Sequence, residues 1–206
     1  MSEYSSSEEV RAAKIAAMGT QLGELHFELW NEVTWIHLKW KDFRALFATR
    51  ETVELLNQVA PDFFDHLNSI LWEDVLLHLC RLTDIRKSTG HQANLTIQRL
   101  PRLIRDPKIE KRIKLLTEDA VQKTEFARDW RNRRIAHREV PEFGKSAPKP
   151  LAAASRHSVE GALASIREVM NCVESHYQQS PVAYEHSIGA LGGVDSLLAY
   201  LRRGSR

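Results

Sequence analysis

Residues 22–47 read LGELHFELWNEVTWIHLKWKDFRALF, and this stretch decides the fold class. Its large apolar side chains recur at steps of three and four residues, which is the period of one face of an α-helix. The residues of this stripe are Leu22, Leu25, Leu29, Val33, Ile36, Trp40, Phe43 and Phe47. Charged residues lie off the stripe, among them Glu28, Glu32, Lys39 and Lys41. The stretch is therefore typical of an amphipathic helix that buries one side.

The same pattern extends in both directions along the chain. Toward the N-terminus we predict one long helix from about Glu8 to Phe47, or two helices with a bend near Gly19 or Gly23. Further helix starts are indicated by capping residues and by proline in the first turn, at Thr49 or Thr52, Pro61, Asp106-Pro107, Ser155 and Asp195. The helix from Pro61 is predicted to reach about Arg86, and the helix from Pro107 to reach about His137.

The predicted fold class is all-α, since no stretch alternates apolar and polar residues as a strand would. We expect an antiparallel, up-and-down helical bundle with long helices and an edge available for dimerisation. Residues 1–186 are predicted to form a single helical domain. Residues 187–206 are predicted to form a flexible tail with a short C-terminal helix, because glycines precede that helix in the sequence.

Composition excludes several classes of protein. The 206 residues are 43% hydrophobic and 27% charged, with a formal net charge of +2, which is typical of a globular protein. No stretch approaches the roughly 20 apolar residues of a membrane helix, and the N-terminal residues lack the order of a signal peptide. Two cysteines, Cys80 and Cys172, exclude a disulfide framework and a cysteine-based zinc site. We therefore predict a cytoplasmic protein without a membrane segment, metal or cofactor.

Residues 127–139, ARDWRNRRIAHRE, are the most unusual in the chain because five of the thirteen are arginine. Arg133 and Arg134 lie one helical turn before His137 and share its side. Arg131 is six residues from His137, roughly 120° away around an ideal helix. Either the helix distorts near its end, or a second copy of the segment completes the site across a two-fold axis.

These side chains suit chemistry at phosphorus. A guanidinium binds phosphate in a bidentate manner and stabilises the extra charge of a pentacoordinate phosphorus. A histidine moves a proton near neutral pH, and an amide such as Asn132 orients either partner. Arg131, Asn132 and His137 are therefore the candidate catalytic residues for metal-independent RNA cleavage. The remaining arginines of the segment are candidate RNA-binding residues: Arg128, Arg133, Arg134 and Arg138.

The order Arg131-Asn132-x4-His137 resembles the Arg-x(4–6)-His signature of the HEPN superfamily, in which a polar residue follows the arginine. Two further segments, LWEDVLLHLCRLTD over 71–84 and NLTI over 94–97, look like the abortive-infection U-type branch. The resemblance covers about residues 20–180. It implies a HEPN-like bundle, homodimerisation that brings two motifs into one cleft, ribonuclease activity in many members, and roles in phage defence or toxin–antitoxin systems with an antitoxin or nucleotidyltransferase partner.

By position in this pattern, Arg131 would stabilise the phosphate, Asn132 would orient it and His137 would act as acid and base. The chain departs from commoner forms by placing Arg133 and Arg134 inside the motif, where they could aid RNA binding or lower the pKa of His137. Asp84 lies in the family-like segment 71–84, and this position is compatible with a structural contact between its side chain and the arginines of residues 127–139.

Three alternatives stay open from the sequence. The basic segment also fits a solvated helix end, where Arg and His complement the helix dipole. Some HEPN domains are catalytically silent, so a non-catalytic module that binds RNA, nucleotide or protein is the second candidate function. Asp74 and His78 stand four residues apart, as metal ligands can, but a buried hydrogen-bonded pair or a surface pair is the expected arrangement.

Overall fold

The computed structural model describes residues 6–85, 93–136, 150–186 and 193–204. Within these ranges the chain is helical and contains no extended strand, which confirms the all-α prediction. The helices are α1 (Ser7–Met18), α2 (Thr20–Phe47), α3 (Arg50–Val59), α4 (Pro61–Thr83), α5 (Pro107–Lys123), α6 (Glu125–Trp130), α7 (Arg156–Tyr177) and α8 (Val194–Gly204). Among them, none is long and apolar enough to cross a membrane.

Local capping chemistry sets most of the helix starts, as the sequence predicts. The hydroxyls of Thr49 and Ser155 accept backbone N–H bonds in the first turns of α3 and α7, and the carboxylate of Asp106 does so in α5. Pro61 is the first residue of α4, where a backbone N–H would have no partner within the helix, so proline loses no hydrogen bond there. Gly19, at φ 79°, separates α1 from α2, so the predicted pair of helices with a bend is the observed alternative.

Two predicted helix ends were wrong. The helix from Pro61 stops at Thr83 rather than near Arg86, because side chains of the following segment take its last carbonyl groups. The helix from Pro107 does not run on to His137 but breaks at Thr124. There the Thr124 hydroxyl donates to the carbonyl of Ala120 and so competes with the backbone bonds of the helix.

The long helices α2, α4, α5 and α7 surround the main core. Helix α2 is antiparallel to α7, since Arg44 pairs with Glu160 at one end while His26 lies 4.0 Å from Glu174 at the other. The side chains at the centre of this core are fully buried, including Leu29, Val33, Ile36, Leu76, Leu79, Ile113, Ile166 and Val169. These helices therefore share one buried core.

A second, smaller core joins α3 and α8 to the bundle through Leu46, Leu56, Phe64 and Leu198. Leu198 of α8 is 5% exposed, so this helix packs on the domain. Residues 187–192 and 205–206 of the predicted flexible tail lie outside the described residues, and the predicted division at residue 186 stays a prediction.

Helix α1 packs closely against the start of α2, which makes Gly23 a sensitive position. A Cβ at Gly23 would lie 2.6 Å from the Cα of Ile15. We expect Gly23→Ala to lower the free energy of unfolding by about 1–3 kcal/mol through overpacking. Gly161→Ala is the matched control, because nothing lies within 4 Å of its new methyl group in α7. This control should raise stability by roughly 0.5–1 kcal/mol, and equal urea midpoints for the two variants would contradict the packing.

Three histidines are buried inside the bundle without charge. Burial lowers the pKa of His26 to about 3 and those of His37 and His78 to about 4, from an ordinary value of 6.5. Below pH 6.5 the unfolded chain binds these protons and the folded chain does not. We therefore expect stability to be complete above pH 6.5 and to fall toward pH 4, by about 1.4 kcal/mol per pH unit for each histidine. Urea unfolding between pH 6.5 and pH 4 measures this loss. A free energy of unfolding that does not change with pH would contradict the burial of the three histidines.

Candidate functional site

The site is built at the C-terminal end of α4. The last carbonyl groups of a helix have no partners within the helix and must find others. Three side chains of residues 94–98 bond carbonyl groups at this helix end and just beyond it. The single Thr96 hydroxyl proton is shared between the carbonyls of Leu82 (3.0 Å) and Asp84 (2.9 Å). Gln98 Nε2 donates to the carbonyl of Thr83 (2.7 Å), and Asn94 Nδ2 donates to that of Ile85 (2.9 Å). The segment NLTI thus fixes the helix end that presents the Asp84 side chain.

Asp84 holds Arg131. The Arg131 guanidinium donates from Nη1 to Oδ2 of Asp84, and from Nε to Oδ1 of Asn132 at 3.0 Å. The side chains of Arg131 and Asp84 are each 27% exposed, so the pair lies at the surface without being freely solvated. The structure therefore contains a contact between Asp84 and an arginine of residues 127–139, as the sequence allowed.

A π-helical turn over Arg131–Ile135 follows α6. Its closing bond runs from the N–H of Ala136 to the carbonyl of Arg131 over 2.8 Å, five residues apart instead of four. Such turns are frequent at functional sites. Of the two sequence alternatives, distortion near the helix end is therefore observed, while completion of the site by a second copy stays a prediction. His137 and Arg138 lie outside the described residues.

The other arginines of the segment have different environments. Arg128 points inward, donating from Nη1 to the Thr83 hydroxyl at 2.9 Å and from Nη2 to the carbonyl of Val121. Arg128 therefore connects α6 to the end of α4 and to α5. The hydroxyl of Thr83 also bonds that of Thr124 at 2.9 Å, so the break before α6 is tied directly to the end of α4.

Arg133 and Arg134 lie on the π-helical turn itself. Arg133 is 17% exposed, 3.4 Å from Asp129, and it donates to the carbonyl of Pro150. Arg134 is exposed, with its Cζ 5.6 Å from the Trp130 ring centroid. Asn132 is also exposed, beside Arg131. Among the predicted RNA-binding residues in the described part of the chain, Arg134 is therefore the most available to a polyanion.

A cavity of about 410 Å³ opens beside Asp84, and the sequence analysis assigned Glu32 and Arg81 of its wall to no site. Glu32 of α2, Arg81 of α4, Asp84 and Asn94 line it. Glu32 pairs with Arg81, and its Oε2 lies 2.9 Å from Nε2 of His78. Glu32 and Arg81 are far apart in sequence, and their position off the apolar stripes was the only signal. The cavity gives the site an open pocket at Asp84, the residue that holds Arg131.

Nearby groups that could do other chemistry have structural roles. Burial raises the pKa of the Cys80 thiol to about 11 despite Arg131 and Arg128 nearby, so this cysteine is an inert core residue. Asp74 pairs with Lys39 at 2.6 Å, while His78 faces Glu32, so Asp74 and His78 do not act together as metal ligands. Over the residues that the structure describes, no three His, Cys, Asp or Glu side chains converge as a metal site.

A comparison with known families agrees with this architecture. The family model HEPN_AbiU2, described as AbiU2, matches residues 20–190. The matched range includes the end of α4, the segment NLTI and the π-helical turn, and it begins just after α1. No curated protein and no solved structure matches the chain.

Proposed function

The chain belongs to the AbiU2 family of HEPN proteins, and on that premise we propose that it is a metal-independent endoribonuclease. The observation that carries the proposal is the contact between Arg131 and Asp84, which holds a guanidinium at the surface on a distorted helix turn. The family context supports a role in phage defence or in a toxin–antitoxin system. An antitoxin or nucleotidyltransferase is the partner class that such a role would require.

Arg131 is the residue that would bind the scissile phosphate. A guanidinium has five N–H donors, and in the described part of the chain Asp84 and Asn132 take two of them. The remaining donors can bind phosphate oxygens, and Asp84 keeps the guanidinium from swinging away. This fixed orientation is what electrostatic stabilisation of a transition state needs, since no reorganisation is then required during the reaction.

His137 would move the protons. The 2′-hydroxyl of the RNA attacks the adjacent phosphorus, loses its proton to a base, and forms a pentacoordinate phosphorus whose charge Arg131 stabilises. The bond from phosphorus to the 5′-oxygen then breaks, and that oxygen takes up a proton. The products are a 2′,3′-cyclic phosphate and a free 5′-hydroxyl. In a homodimer, which we also propose, a second motif brings a second histidine to the cleft.

The test is cleavage of a mixed RNA pool in EDTA by wild type beside His137→Ala. We expect wild type to cut and to leave 2′,3′-cyclic phosphate ends, because the mechanism uses no metal. The variant should lose cleavage while keeping the helical circular dichroism of the fold. Cutting by His137→Ala at the wild-type rate would contradict the assignment, and RNA binding without turnover by wild type would favour the non-catalytic module.

RNA binding itself should depend on salt. Each phosphate neutralised by an arginine releases counterions, so the logarithm of the affinity falls linearly with the logarithm of the salt concentration. Replacing exposed Arg134 with Ala should reduce that slope by about 1, whereas Arg128→Ala should leave it unchanged because Arg128 is engaged inside the protein. Fluorescence anisotropy over a salt series measures the slopes. Equal slopes for wild type and Arg134→Ala would contradict RNA contact at the π-helical turn.

A further inference from the structure

The cavity beside Asp84 has an arginine of its own on its wall, Arg81 of α4. Nη2 of Arg81 donates to Oε2 of Glu32, and the same oxygen lies 2.9 Å from Nε2 of His78. Asp84 holds Arg131 in the same manner, through one carboxylate oxygen. Two guanidiniums at this end of α4 are therefore each held by a carboxylate, and the function proposed above uses only that of Arg131.

The guanidinium of Arg81 is more accessible than the carboxylate that holds it. The side chain of Arg81 is 62% exposed, whereas that of Glu32 is 31% exposed. A guanidinium has five N–H donors, and among the described residues the contact with Glu32 takes one of those on Arg81. A polyanion at this surface therefore reaches the guanidinium more readily than the carboxylate, and it finds N–H donors that can bind it.

Arg81 and Arg131 lie at neighbouring places on the surface. Arg81 is three residues before Asp84, the C-cap of α4, and side chains at this spacing have Cβ atoms about 5–6 Å apart. Because Arg131 is bonded to Asp84, its guanidinium lies next to the same helix end. The cavity of about 410 Å³ is lined by both Arg81 and Asp84, and its volume falls in the range of small-molecule sites, roughly 300–1,000 Å³. A nucleotide there would bring its two flanking phosphates to the two arginines.

The charges at this surface are balanced, which makes the position of each guanidinium important. Glu32 offsets the charge of Arg81, and Asp84 offsets that of Arg131. Diffuse attraction of a polyanion is therefore weak here. What the surface offers instead is two oriented sets of N–H donors, and oriented guanidiniums bind phosphate oxygens in a bidentate manner.

We propose that Arg81 binds the phosphate of the RNA next to the scissile phosphate, and that Glu32 is the residue that positions it. Glu32 would thus do for Arg81 what Asp84 does for Arg131. The inference rests on the proposed function, since it takes RNA as the ligand and the phosphate at Arg131 as the scissile one. It gives the bound strand a path, from the π-helical turn across the C-terminal end of α4.

RNA affinity in the His137→Ala background tests the contact, because the strand then stays intact. We expect Arg81→Ala to weaken binding at least about tenfold and to reduce the salt slope by about 1, since one charge-assisted contact to phosphate is lost. Arg44→Ala is the matched control. Arg44 is 56% exposed and pairs with Glu160, roughly 18 Å along α2 from Glu32. This control should bind RNA like the His137→Ala parent.

A methylphosphonate locates the contact on the strand, because it replaces one phosphate oxygen by a methyl group and removes the charge. It is placed in turn at each linkage beside the one that wild type cuts. At one such linkage it should weaken binding to the parent about tenfold, and it should cost Arg81→Ala nothing further. Glu32→Gln should show an intermediate cost, because the guanidinium stays but is no longer held.

The outcomes separate this inference from the proposed function. If wild type cuts RNA but Arg81→Ala binds it like Arg44→Ala, or if every methylphosphonate weakens Arg81→Ala as much as the parent, the inference is overturned and the ribonuclease stands. If wild type binds RNA without cutting it, the proposed function fails, and a loss seen in Arg81→Ala but not in Arg44→Ala would still support the phosphate contact. An absence of RNA binding would overturn both.

Discussion

Arg131→Ala should lower the rate of RNA cleavage at saturating RNA by about 10²–10³-fold, the loss typical of removing one preorganised donor to a developing charge. The reason is geometric: Asp84 and Asn132 fix the guanidinium before RNA arrives, so its interaction with the pentacoordinate phosphorus needs no ordering. Single-turnover cleavage measures the effect. Arg134→Ala makes the same charge change on the same turn without a tie to Asp84, and it should chiefly weaken binding.

The variant Asp84→Asn tests whether the orientation of the Arg131 guanidinium contributes to cleavage separately from its charge. This variant keeps the guanidinium but removes the carboxylate that orients it, so we expect an intermediate loss of cleavage with little change in RNA affinity. If Arg131→Ala and Arg134→Ala lose cleavage equally, or if Asp84→Asn cuts like wild type, the arginines act only as diffuse positive charge. The held guanidinium would then have no special role.

Lys14→Met should lower the free energy of unfolding by about 3–5 kcal/mol, because it leaves the Glu174 carboxylate buried without its partner. Nζ of Lys14 lies 2.5 Å from Oε1 of Glu174, and the two side chains are only 3% and 1% exposed. Lys14 also lies 5.6 Å from the ring centroid of Trp30. Urea unfolding followed by circular dichroism measures the loss.

Two further variants test whether the loss of stability comes from an unpaired buried charge. The double variant Lys14→Met with Glu174→Met should recover most of the lost stability, since no unpaired charge stays buried. Arg11→Met removes the partner of Glu24 from the same helix α1, but that pair is solvent-exposed, and the change should be much smaller. Similar losses for Lys14→Met and Arg11→Met would contradict the burial of α1 against α7.

The helices could be predicted from the sequence because their signals are local. The apolar stripe of α2 and the caps at Thr49, Asp106 and Ser155 depend only on neighbours along the chain. The break at Thr124 was not predicted, because a threonine hydroxyl that bonds the carbonyl four residues earlier does not by itself end a helix. Here the same hydroxyl also contacts that of Thr83, which is distant in sequence. Long-range contacts of this kind override local helix propensity.

The candidate site was partly accessible to sequence reasoning. The pattern of residues 127–139 identified Arg131 and Asn132, and the family resemblance drew attention to Asp84. Glu32 and Arg81 could not be assigned to the site, because a charged residue off the apolar stripe of an amphipathic helix normally indicates a solvated face. The burial of Lys14 could not be predicted either, because lysine is rarely buried unless it is paired. Its partner Glu174 lies far away in sequence, on α7.

The most direct test of the central claim compares cleavage in EDTA by wild type, Arg131→Ala, His137→Ala and the double variant. Residues that act on one step as a unit are not additive. We predict that each single variant loses at least about 100-fold in cleavage rate and that the double variant loses no more than the worse single variant. Losses that multiply in the double variant, or wild-type cleavage that EDTA abolishes, would contradict a metal-independent site made by Arg131 and His137.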